Sequence, residues 1–448
     1  MSPTDAARDL VAFTQASPSP YHCVEEAIHR LSEAGFTEID EAGEPQPLAA
    51  GAGYFLRRSG TLLAWRCGTD SPARSGFRVI GAHTDSPNLR LKPKPEYTRE
   101  EYLQWGVEVY GGVLLHTWTD RDLGVSGRVA VADGSGGLTL ELVRVDRPIA
   151  RVANLAIHLN REIRTDGLKL NAQRHMAPLL GLGEPGALRT LLAGELGCDP
   201  DALLSWDLGL HDVVPPTLGG LSEEFVFSPR LDNQASCHAS LAALLAASPD
   251  VPHTAVIALY DHEECGSRSA NGAASALLGN VLSRIIRDHE VAGAGGLGRA
   301  VASSLLISSD MAHGVHPNYA DRHEEHHKPR LNRGPVIKWN VNTRYATDGE
   351  TAARFKLACA AAGAPIQEFV NRTDLACGST IGPITAAGLA IRGVDVGCAM
   401  LSMHSIREQS GARDVAWMIE AMTVVLGSSH RSAREAASPR STHSPPPT

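Results

Sequence analysis

The 448-residue sequence predicts an α/β protein in which helices flank a mixed, mostly parallel sheet. Three observations indicate this fold class. Helical and strand patterns alternate in residues 1–91 and again in residues 225–426. Uninterrupted apolar runs, which suit central strands buried on both faces of a parallel sheet, occur in FRVIGA, AVIALY and LLISS. A block rich in short strands separates the two α/β segments and is predicted to be an insertion.

The elements of the first segment follow from apolar periodicity. Apolar residues recur at helical spacing in DAARDLVAFTQA and in YHCVEEAIHRLSEAG, where Gly35 ends the second helix. Two strands are then predicted, TLLAWRC and FRVIGAH. A helix NQASCHASLAALLAA, a strand TAVIALY, a helix near GNVLSRIIRDHE and a strand SLLISS continue the pattern after the insertion.

The insertion, residues 92–224, is expected to form a unit with its own sheet. Its β-rich pieces, divided by glycine-containing turns, are VEVYGGVLLHTWT, GVSGRVAVADG and LTLELVRV, and one helix is predicted in PGALRTLLAGEL. We therefore expect one discontinuous domain, residues 1–91 and 225–426, interrupted by this unit. Residues 427–448 are rich in serine and proline without apolar periodicity, and we expect them to be disordered.

Composition narrows the class of protein. The formal net charge is -9 and no long basic block occurs, which argues against nucleic acid or an anionic membrane surface as a partner. The eight cysteines are scattered, without a C-x-x-C pair, and MSPTDAARDLVAFTQ carries charges where a signal peptide would be apolar. No apolar run reaches transmembrane length. We expect a cytoplasmic protein with reduced thiols.

The segment DRHEEHHKPRLNRGP contains the H-E-x-x-H spacing at His323, Glu324 and His327. On a helix this spacing lets two imidazoles bind one zinc ion. Pro329 follows His327 by two residues, and a proline so close disfavours helical geometry before it. The sequence therefore argues against a zinc-binding helix here and directs the search elsewhere.

Acidic and imidazole side chains follow each of the three apolar strands. In an open α/β sheet, ligands bind outside the carboxyl ends of the strands, so these side chains are expected to converge. Alone, an aspartate before a helix is most often an N-cap, and a lone histidine is a satisfied polar residue. Their shared placement favours one site. Its candidate members are His83, Asp85, Asp232, Asp261, Glu263, Glu264, Asp310, His313 and His404.

The number of candidate ligands suggests two metal ions. Two imidazoles and three carboxylates exceed the needs of a single tetrahedral zinc, and they suit two ions that share one carboxylate. Nitrogen and oxygen donors without thiolate favour zinc, with cobalt or manganese as alternatives. Asp85 lies two residues after His83, so in an extended chain both side chains face the same way and Asp85 can orient the imidazole.

The sequence resembles the aspartyl aminopeptidase family of dinuclear-zinc metallopeptidases, from ASPSPYHCV to MHSIRE. The motifs that carry the resemblance are GAHTDSP, SPRLDNQAS, DHEECGS, SSDMAHGVHPNYADRHEEHHKP, CGSTIGP and MHSIRE. The resemblance implies a zinc-peptidase fold, peptide substrates, and preferred release of N-terminal Asp or Glu. It also implies that the insertion is a dimerisation domain and that dimers assemble into a dodecamer.

The resemblance further implies a role for each candidate residue. His83 and Asp310 would bind one zinc, Glu264 and His404 the other, with Asp232 bridging. The implied catalytic residues are Glu263 as general base, Asp85, and His158, which the family supplies to a neighbouring subunit. Lys338, His316 and Tyr345 would bind the acidic side chain of the substrate. Lys338 also fits a solvated surface residue, but a charge within PVIKW is costly unless it is paired or exposed.

Two rival classes of protein remain open at this level. Another dinuclear metallohydrolase, such as a deacylase or a carboxypeptidase, could use the same ligands. A non-catalytic scaffold would be expected to lack Glu263 or a ligand, and all of them are present. Cys265 departs from the family, which has an aliphatic residue after the ligand Glu264. Its thiolate could compete for metal, although a small buried apolar role is more usual for cysteine.

Overall fold

The computed structural model describes residues 2–44, 46–289 and 296–427. Gly427, the first residue of the predicted disordered tail, ends the last helix, and residues 428–448 lie outside the described residues. The helices are α1 Pro3–Ala16, α2 Pro20–Glu33, α3 Pro72–Ser75, α4 Ile163–Asp166, α5 Ala172–His175, α6 Ala187–Leu196, α7 Leu231–Ala246, α8 Leu277–His289, α9 Gly296–Ala302, α10 Gly349–Ala361, α11 Ile381–Leu389 and α12 Ala412–Gly427.

The strands of the described residues form three sheets. In chain order they are β1 Thr37–Glu38, β2 Gly53–Arg58, β3 Thr61–Arg66, β4 Phe77–His83, β5 Asn88–Arg99, β6 Tyr102–Tyr110, β7 Leu123–Ala132, β8 Leu138–Ala150, β9 Leu179–Leu182, β10 Leu203–Asp212, β11 Thr217–Gly219, β12 Phe225–Ser228, β13 Thr254–Tyr260, β14 Leu305–Ser309, β15 Ala312–His313, β16 Val336–Trp339, β17 Gln367–Val370, β18 Gly393–Gly397, β19 Ala399–Leu401 and β20 Glu408–Gly411.

The largest sheet has nine strands in the order β1-β2-β3-β13-β4-β14-β18-β16-β17. The central strands β13, β4, β14 and β18 are parallel, whereas β3 and β16 run antiparallel to their central neighbours. This confirms the predicted mixed, mostly parallel sheet. Every residue of β4, β13 and β14 is buried, as their uninterrupted apolar runs require.

Helices cover both faces of this sheet. Ile80 and Ala82 of β4 join a core with α1, α2, α7, α10 and α12, whereas Phe77 and Val79 join a second core with α8 and α9. The alternation follows from the two-residue period of a strand, which sends successive side chains to opposite faces. The central strands are therefore enclosed on both sides, and the chain leaves the core at their carboxyl ends.

The second sheet is entirely antiparallel, in the order β8-β7-β10-β5-β6-β9. It contains the β-rich stretch of the sequence and packs against α6 around a separate core. Strand β6 ends at Tyr110, and a loop at residues 111–118 precedes β7. The assignment of residues 92–224 to a separate dimerisation domain stays a prediction.

The third sheet, in the order β11-β12-β20-β19-β15, lies beside the carboxyl ends of the central strands. Strand β12 leads into α7, and it pairs with β20 so that Ser228 is opposite Glu408. The loop between β19 and β20 is thereby brought next to the start of α7. No helix in the described part of the chain has both the length and the apolar character needed to cross a membrane.

Candidate active site

A cavity of about 440 Å³ lies at the carboxyl ends of β4, β13 and β14. His83 is the last residue of β4, Glu263 and Glu264 follow β13, and Asp310 follows β14. The other contributors come from the start of α7 and from the loop between β19 and β20. The structure therefore gathers all five residues expected to bind metal at one cavity wall, namely His83, Asp232, Glu264, Asp310 and His404.

Asp232 lies between the two imidazoles. Its Oδ2 is 3.2 Å from Nε2 of His404, and its Oδ1 is 3.5 Å from Nε2 of His83. Oε1 of Glu264 lies 3.3 Å from the same nitrogen of His404. Donor atoms of His83, Asp232 and Glu264 all lie within 4.8 Å of one another. Because the two Asp232 oxygens face different imidazoles, this carboxylate has the geometry of a bridge between two ligand sets.

Lys338 approaches the cluster at Asp310. Oδ2 of Asp310 is 3.8 Å from Nζ of Lys338, and that ammonium donates a 3.1 Å hydrogen bond to the carbonyl of Met311. The ammonium also lies 5.3 Å from the centre of the Tyr345 ring. Lys338 is only 3% exposed, and it is the single Lys or Arg among the described residues that line the cavity.

Asp85 supports the catalytic cluster in two ways. Its backbone carbonyl lies 3.0 Å from Nδ1 of His83, closer than its carboxylate at 3.5 Å. Its carboxylate accepts the backbone N–H of Glu263 and of Glu264, each at 3.1 Å, and the Tyr110 hydroxyl at 2.6 Å. The side chain of Asp85 therefore fixes the Glu263–Glu264 turn, and its main chain orients the imidazole.

Glu263 lies beside the residues expected to bind metal, with Oε2 3.9 Å from Nε2 of His83. Burial, together with the nearby carboxylates, raises the pKa of Glu263 to about 8. Burial likewise raises the pKa of Glu264 to about 7 and that of Asp310 to about 6. Burial alone would lower the pKa of His404, but the adjacent carboxylates of Asp232 and Glu264 raise it to about 11. The crowded carboxylates thus resist ionisation, and a bound cation would favour their charged forms.

The donor atoms fit a zinc centre. Oδ1 of Asp232 and Oε1 of Glu264 are buried and have no hydrogen-bond partner among the described residues. Buried carboxylate oxygens are normally hydrogen-bonded, paired with a cation or bound to metal. All the donors are imidazole nitrogens or carboxylate oxygens, which zinc binds readily. The unpaired oxygens of Asp232 and Glu264 are therefore available as ligand atoms.

Two predicted site residues lie away from this cavity. His316 begins a short 3-10 helix, Pro317–Arg322, where its Nδ1 accepts the backbone N–H of Asn318 at 3.2 Å. It is not among the described residues that line the cavity, whereas Tyr345 is. His158 lies in an exposed 3-10 turn of the second sheet region, Ile157–Leu159. Neither histidine is brought to the metal-binding cluster of its own subunit.

The H-E-x-x-H segment does not form an α-helix. His323 caps the end of the 3-10 helix, and residues 324–327 form a turn. The Glu324 carboxylate contacts the ring of His327 and accepts the backbone N–H of His326 at 3.0 Å. Nε2 of His323 lies 3.2 Å from the His313 carbonyl. The expectation that this segment lacks a zinc-binding helix is confirmed.

Several residues of the site were not identified from the sequence. Tyr110, which bonds Asp85, belongs to the second sheet, and its strand pattern carries no sign of this contact. Glu408 accepts backbone hydrogen bonds from two of the expected ligands. Its position four residues after His404 was the available signal. Phe369 and the loop at residues 378–380 complete the cavity wall.

A buried acid and imidazole cluster at the carboxyl ends of a mostly parallel sheet is typical of a metal-dependent hydrolase. Comparison with known proteins identifies the family of hydrolases. Residues 13–424 match the family described as aminopeptidase I zinc metalloprotease (M18). The chain belongs to this family and is a zinc metallopeptidase. The expected relationship to the aspartyl aminopeptidases is confirmed at the level of the M18 family.

Individual relatives cover nearly the whole chain. A probable M18 family aminopeptidase 2 of Streptomyces coelicolor is 46% identical over 428 residues, which are 93% of this chain and 96% of that protein. A chain in the cryo-EM structure of the Ape4 and Nbr1 complex is 38% identical with a TM-score of 0.91, covering 95% of this chain and 86% of that one. The S. cerevisiae mApe1 dodecamer gives 27% identity and a TM-score of 0.82, over 94% and 96%.

Proposed function

We propose that this zinc metallopeptidase is an aminopeptidase that preferentially releases N-terminal Asp or Glu from peptides, with two zinc ions per subunit. The observation that carries the proposal is the cavity itself. The cavity is lined both by the acid and imidazole cluster and by Lys338, whose ammonium is buried. An acidic side chain and a peptide bond can therefore be bound side by side.

The residues present suit two zinc ions. His83 and Asp310 would hold one ion and Glu264 and His404 the other, with Asp232 shared between them. The separate orientation of the two Asp232 oxygens supports the shared role. Bound zinc supplies Lewis acidity for a carbonyl group and lowers the pKa of water. Cobalt or manganese could bind the same nitrogen and oxygen donors.

Glu263 is proposed as the general base. The Asp85 carboxylate accepts the backbone N–H of Glu263. The carboxylate of Glu263 lines the cavity next to the proposed ligands. A carboxylate whose pKa is raised towards neutrality can take a proton from water and later deliver it to the leaving amine. Of the two neighbouring glutamates, only Glu263 is assigned the role of general base, because Glu264 faces His404 and Asp232.

Lys338 is proposed to select the acidic side chain of the substrate. Its three N–H groups make one hydrogen bond, to the Met311 carbonyl, and the Asp310 carboxylate is 3.8 Å away, beyond ordinary hydrogen-bond length. The ammonium is therefore free to donate a hydrogen bond to a substrate carboxylate. Tyr345 lies beneath the ammonium and lines the same wall. His316 is kept only as a residue implied by the family resemblance.

We further propose that the chain assembles through dimers into a larger homo-oligomer by way of residues 92–224. Leu155, Ile157 and Leu159 are 59%, 41% and 75% exposed around His158, and clustered exposed apolar side chains mark interaction surfaces. One similar structure is a dodecamer. In such an assembly His158 would enter a neighbouring subunit's cavity. All eight cysteines are free, which supports a reducing, cytoplasmic location.

The test combines metal analysis with a substrate panel. Zinc per subunit is measured in the purified protein, and hydrolysis is measured for p-nitroanilides of Asp, Glu, Asn and Leu and for N-acetyl-Asp. We expect two zinc ions, preference for Asp and Glu, and no cleavage of the blocked compound. Preference for Leu would refute the proposed specificity. Cleavage of N-acetyl-Asp would identify a deacylase instead.

A further inference from the structure

Asp232 and His404 come from separate elements, yet their side chains must meet at one place. Asp232 lies in the first turn of α7, and His404 lies in the loop between β19 and β20. One carboxylate joins their main chains. Oε2 of Glu408 accepts the backbone N–H of Asp232 at 3.0 Å, and Oε1 accepts that of His404 at 2.7 Å. Each oxygen of Glu408 thus serves one of the two residues.

Glu408 lies outside the cavity that the cluster lines. It is 2% exposed and is not among the described residues that line the main cavity. It begins β20, and its pairing with Ser228 of β12 places it directly beneath the start of α7. Any influence on the reaction must therefore pass through the residues whose main chain it binds.

The backbone at His404 needs such support. His404 has φ +68°, a left-handed conformation that is uncommon for residues with a side chain, and Ser402 just before it has φ +58°. Sparsely populated conformations at functional sites persist when surrounding contacts hold them. The hydrogen bond from His404 N–H to Glu408 is such a contact.

Loop 111–118 holds the other atoms of His404. The Gly112 carbonyl lies 3.0 Å from Nδ1 of the imidazole, and the Leu114 N–H donates to the His404 carbonyl at 3.1 Å. A side chain at position 112 would come within 3.0 Å of Nδ1, so glycine permits this approach. Because Nδ1 faces the Gly112 carbonyl, Nε2 is the ring nitrogen that faces Asp232 and Glu264.

Glu263 and Glu264 are held in the same way, by a buried carboxylate that accepts two backbone N–H groups. Asp85 accepts the backbone N–H groups of Glu263 and Glu264, as Glu408 accepts those of Asp232 and His404. Two buried carboxylates therefore each fix a pair of functional residues through their main chain. Asp85 was singled out in the sequence because it lies two residues from His83, whereas Glu408 was not.

We propose that Glu408 is a positioning residue that sets the separation of Asp232 and His404 for zinc binding. This inference rests on the ligand set of the proposed function. Replacing Glu408 by Gln puts an NH₂ group against one of the two backbone N–H groups, so one hydrogen bond is lost while size is kept. Loss of a residue that supports a metal ligand typically weakens metal binding by about 10- to 100-fold.

The experiment measures zinc affinity on chelator-stripped protein. Wild type, Glu408→Gln and the control Glu420→Gln, an exposed position of α12, are titrated with zinc against a competing chelator. Cobalt absorption spectra report the ligand geometry, and thermal melting of the metal-free proteins reports the fold. We expect the weaker zinc site of Glu408→Gln to lose about 10- to 100-fold in affinity. The melting temperature of the metal-free form should stay near that of wild type, and the control should match wild type throughout.

Each other outcome has a definite meaning. Zinc affinities and cobalt spectra of Glu408→Gln equal to wild type would overturn the inference and leave the proposed function intact. Wild type that binds fewer than two zinc ions would instead overturn the proposed ligand set. Glu408→Asp, which keeps the charge but shortens the reach, provides a second variant with an expected loss in affinity. If both variants fail to fold even with zinc, Glu408 maintains the fold, and a specific positioning role is refuted.

Discussion

Replacing Lys338 by Met tests the proposed preference for acidic N-terminal residues. Methionine is similar in length and apolar, so the change removes the ammonium while keeping most of the volume on the cavity wall. Lys338 is 3% exposed, and its Nζ donates to the Met311 carbonyl. No other Lys or Arg lines the cavity in the part of the chain that the structure describes. No second lysine or arginine of this described lining can therefore bind the substrate carboxylate in place of Lys338.

The expected loss follows from the hydrogen bond that Lys338 can donate to the substrate. A hydrogen bond to a charged group contributes about 1.5–3 kcal/mol, and each 1.36 kcal/mol changes a rate about tenfold. We therefore expect kcat/KM for Asp-p-nitroanilide to fall by about 10- to 150-fold. The variant also removes the cation 3.8 Å from Asp310, which affects every substrate. The ratio of kcat/KM for Asp to that for Leu cancels this common effect.

The assay measures that ratio for wild type, Lys338→Met and a control, Lys356→Met. Lys356 is a half-exposed residue of α10 that pairs with Glu368, so its loss should leave the ratio unchanged. Zinc content is measured in parallel to show that the cluster is intact. An Asp-to-Leu ratio in Lys338→Met within about twofold of wild type, less than the weakest bond considered, would refute the assigned role.

Three further variants test the site. Glu263→Gln should keep its zinc but lose at least about 100-fold in kcat, the usual contribution of a general base; near wild-type turnover by the zinc-loaded variant would exclude it. His323→Ala should keep the wild-type zinc content because no helix aligns it with His327; losing one zinc equivalent while folded would contradict this. Mixed oligomers of His158→Ala and Glu263→Gln should recover activity that neither variant has, whereas verified mixed oligomers that stay inactive would place His158 outside the neighbouring site.

The sequence predicted the location of the site through one physical rule. His83, Glu263, Glu264 and Asp310 each follow an uninterrupted apolar run, and the structure shows these runs as adjacent buried strands. Parallel neighbours place their carboxyl ends at the same edge, so residues far apart in sequence become neighbours. The absence of a helix at His327 was predictable for an equally local reason, since Pro329 acts on the residues just before it.

The supporting contacts could not be predicted in this way. Glu408 and the carboxylate of Asp85 bind backbone N–H groups, and the N–H group is common to every residue except proline. Such partners leave no pattern of residue types to recognise. The Asp85 carboxylate reaches Glu263 across 178 positions, and Glu408 reaches Asp232 across 176. Residues so far apart in sequence are brought into contact only by the full topology of the nine-stranded and five-stranded sheets.

The loop that carries His404 is also where the metal-binding cluster meets the six-stranded sheet. Ile406 packs into the core of that sheet, and its N–H donates to Thr117 at 3.1 Å. Gly112 and Leu114 of loop 111–118 bind the ring and the carbonyl of His404. The β-rich part of the chain therefore forms part of the support for a proposed zinc ligand within its own subunit. Since these contacts join the six-stranded sheet to His404, we expect a shift of that sheet to be transmitted to the imidazole.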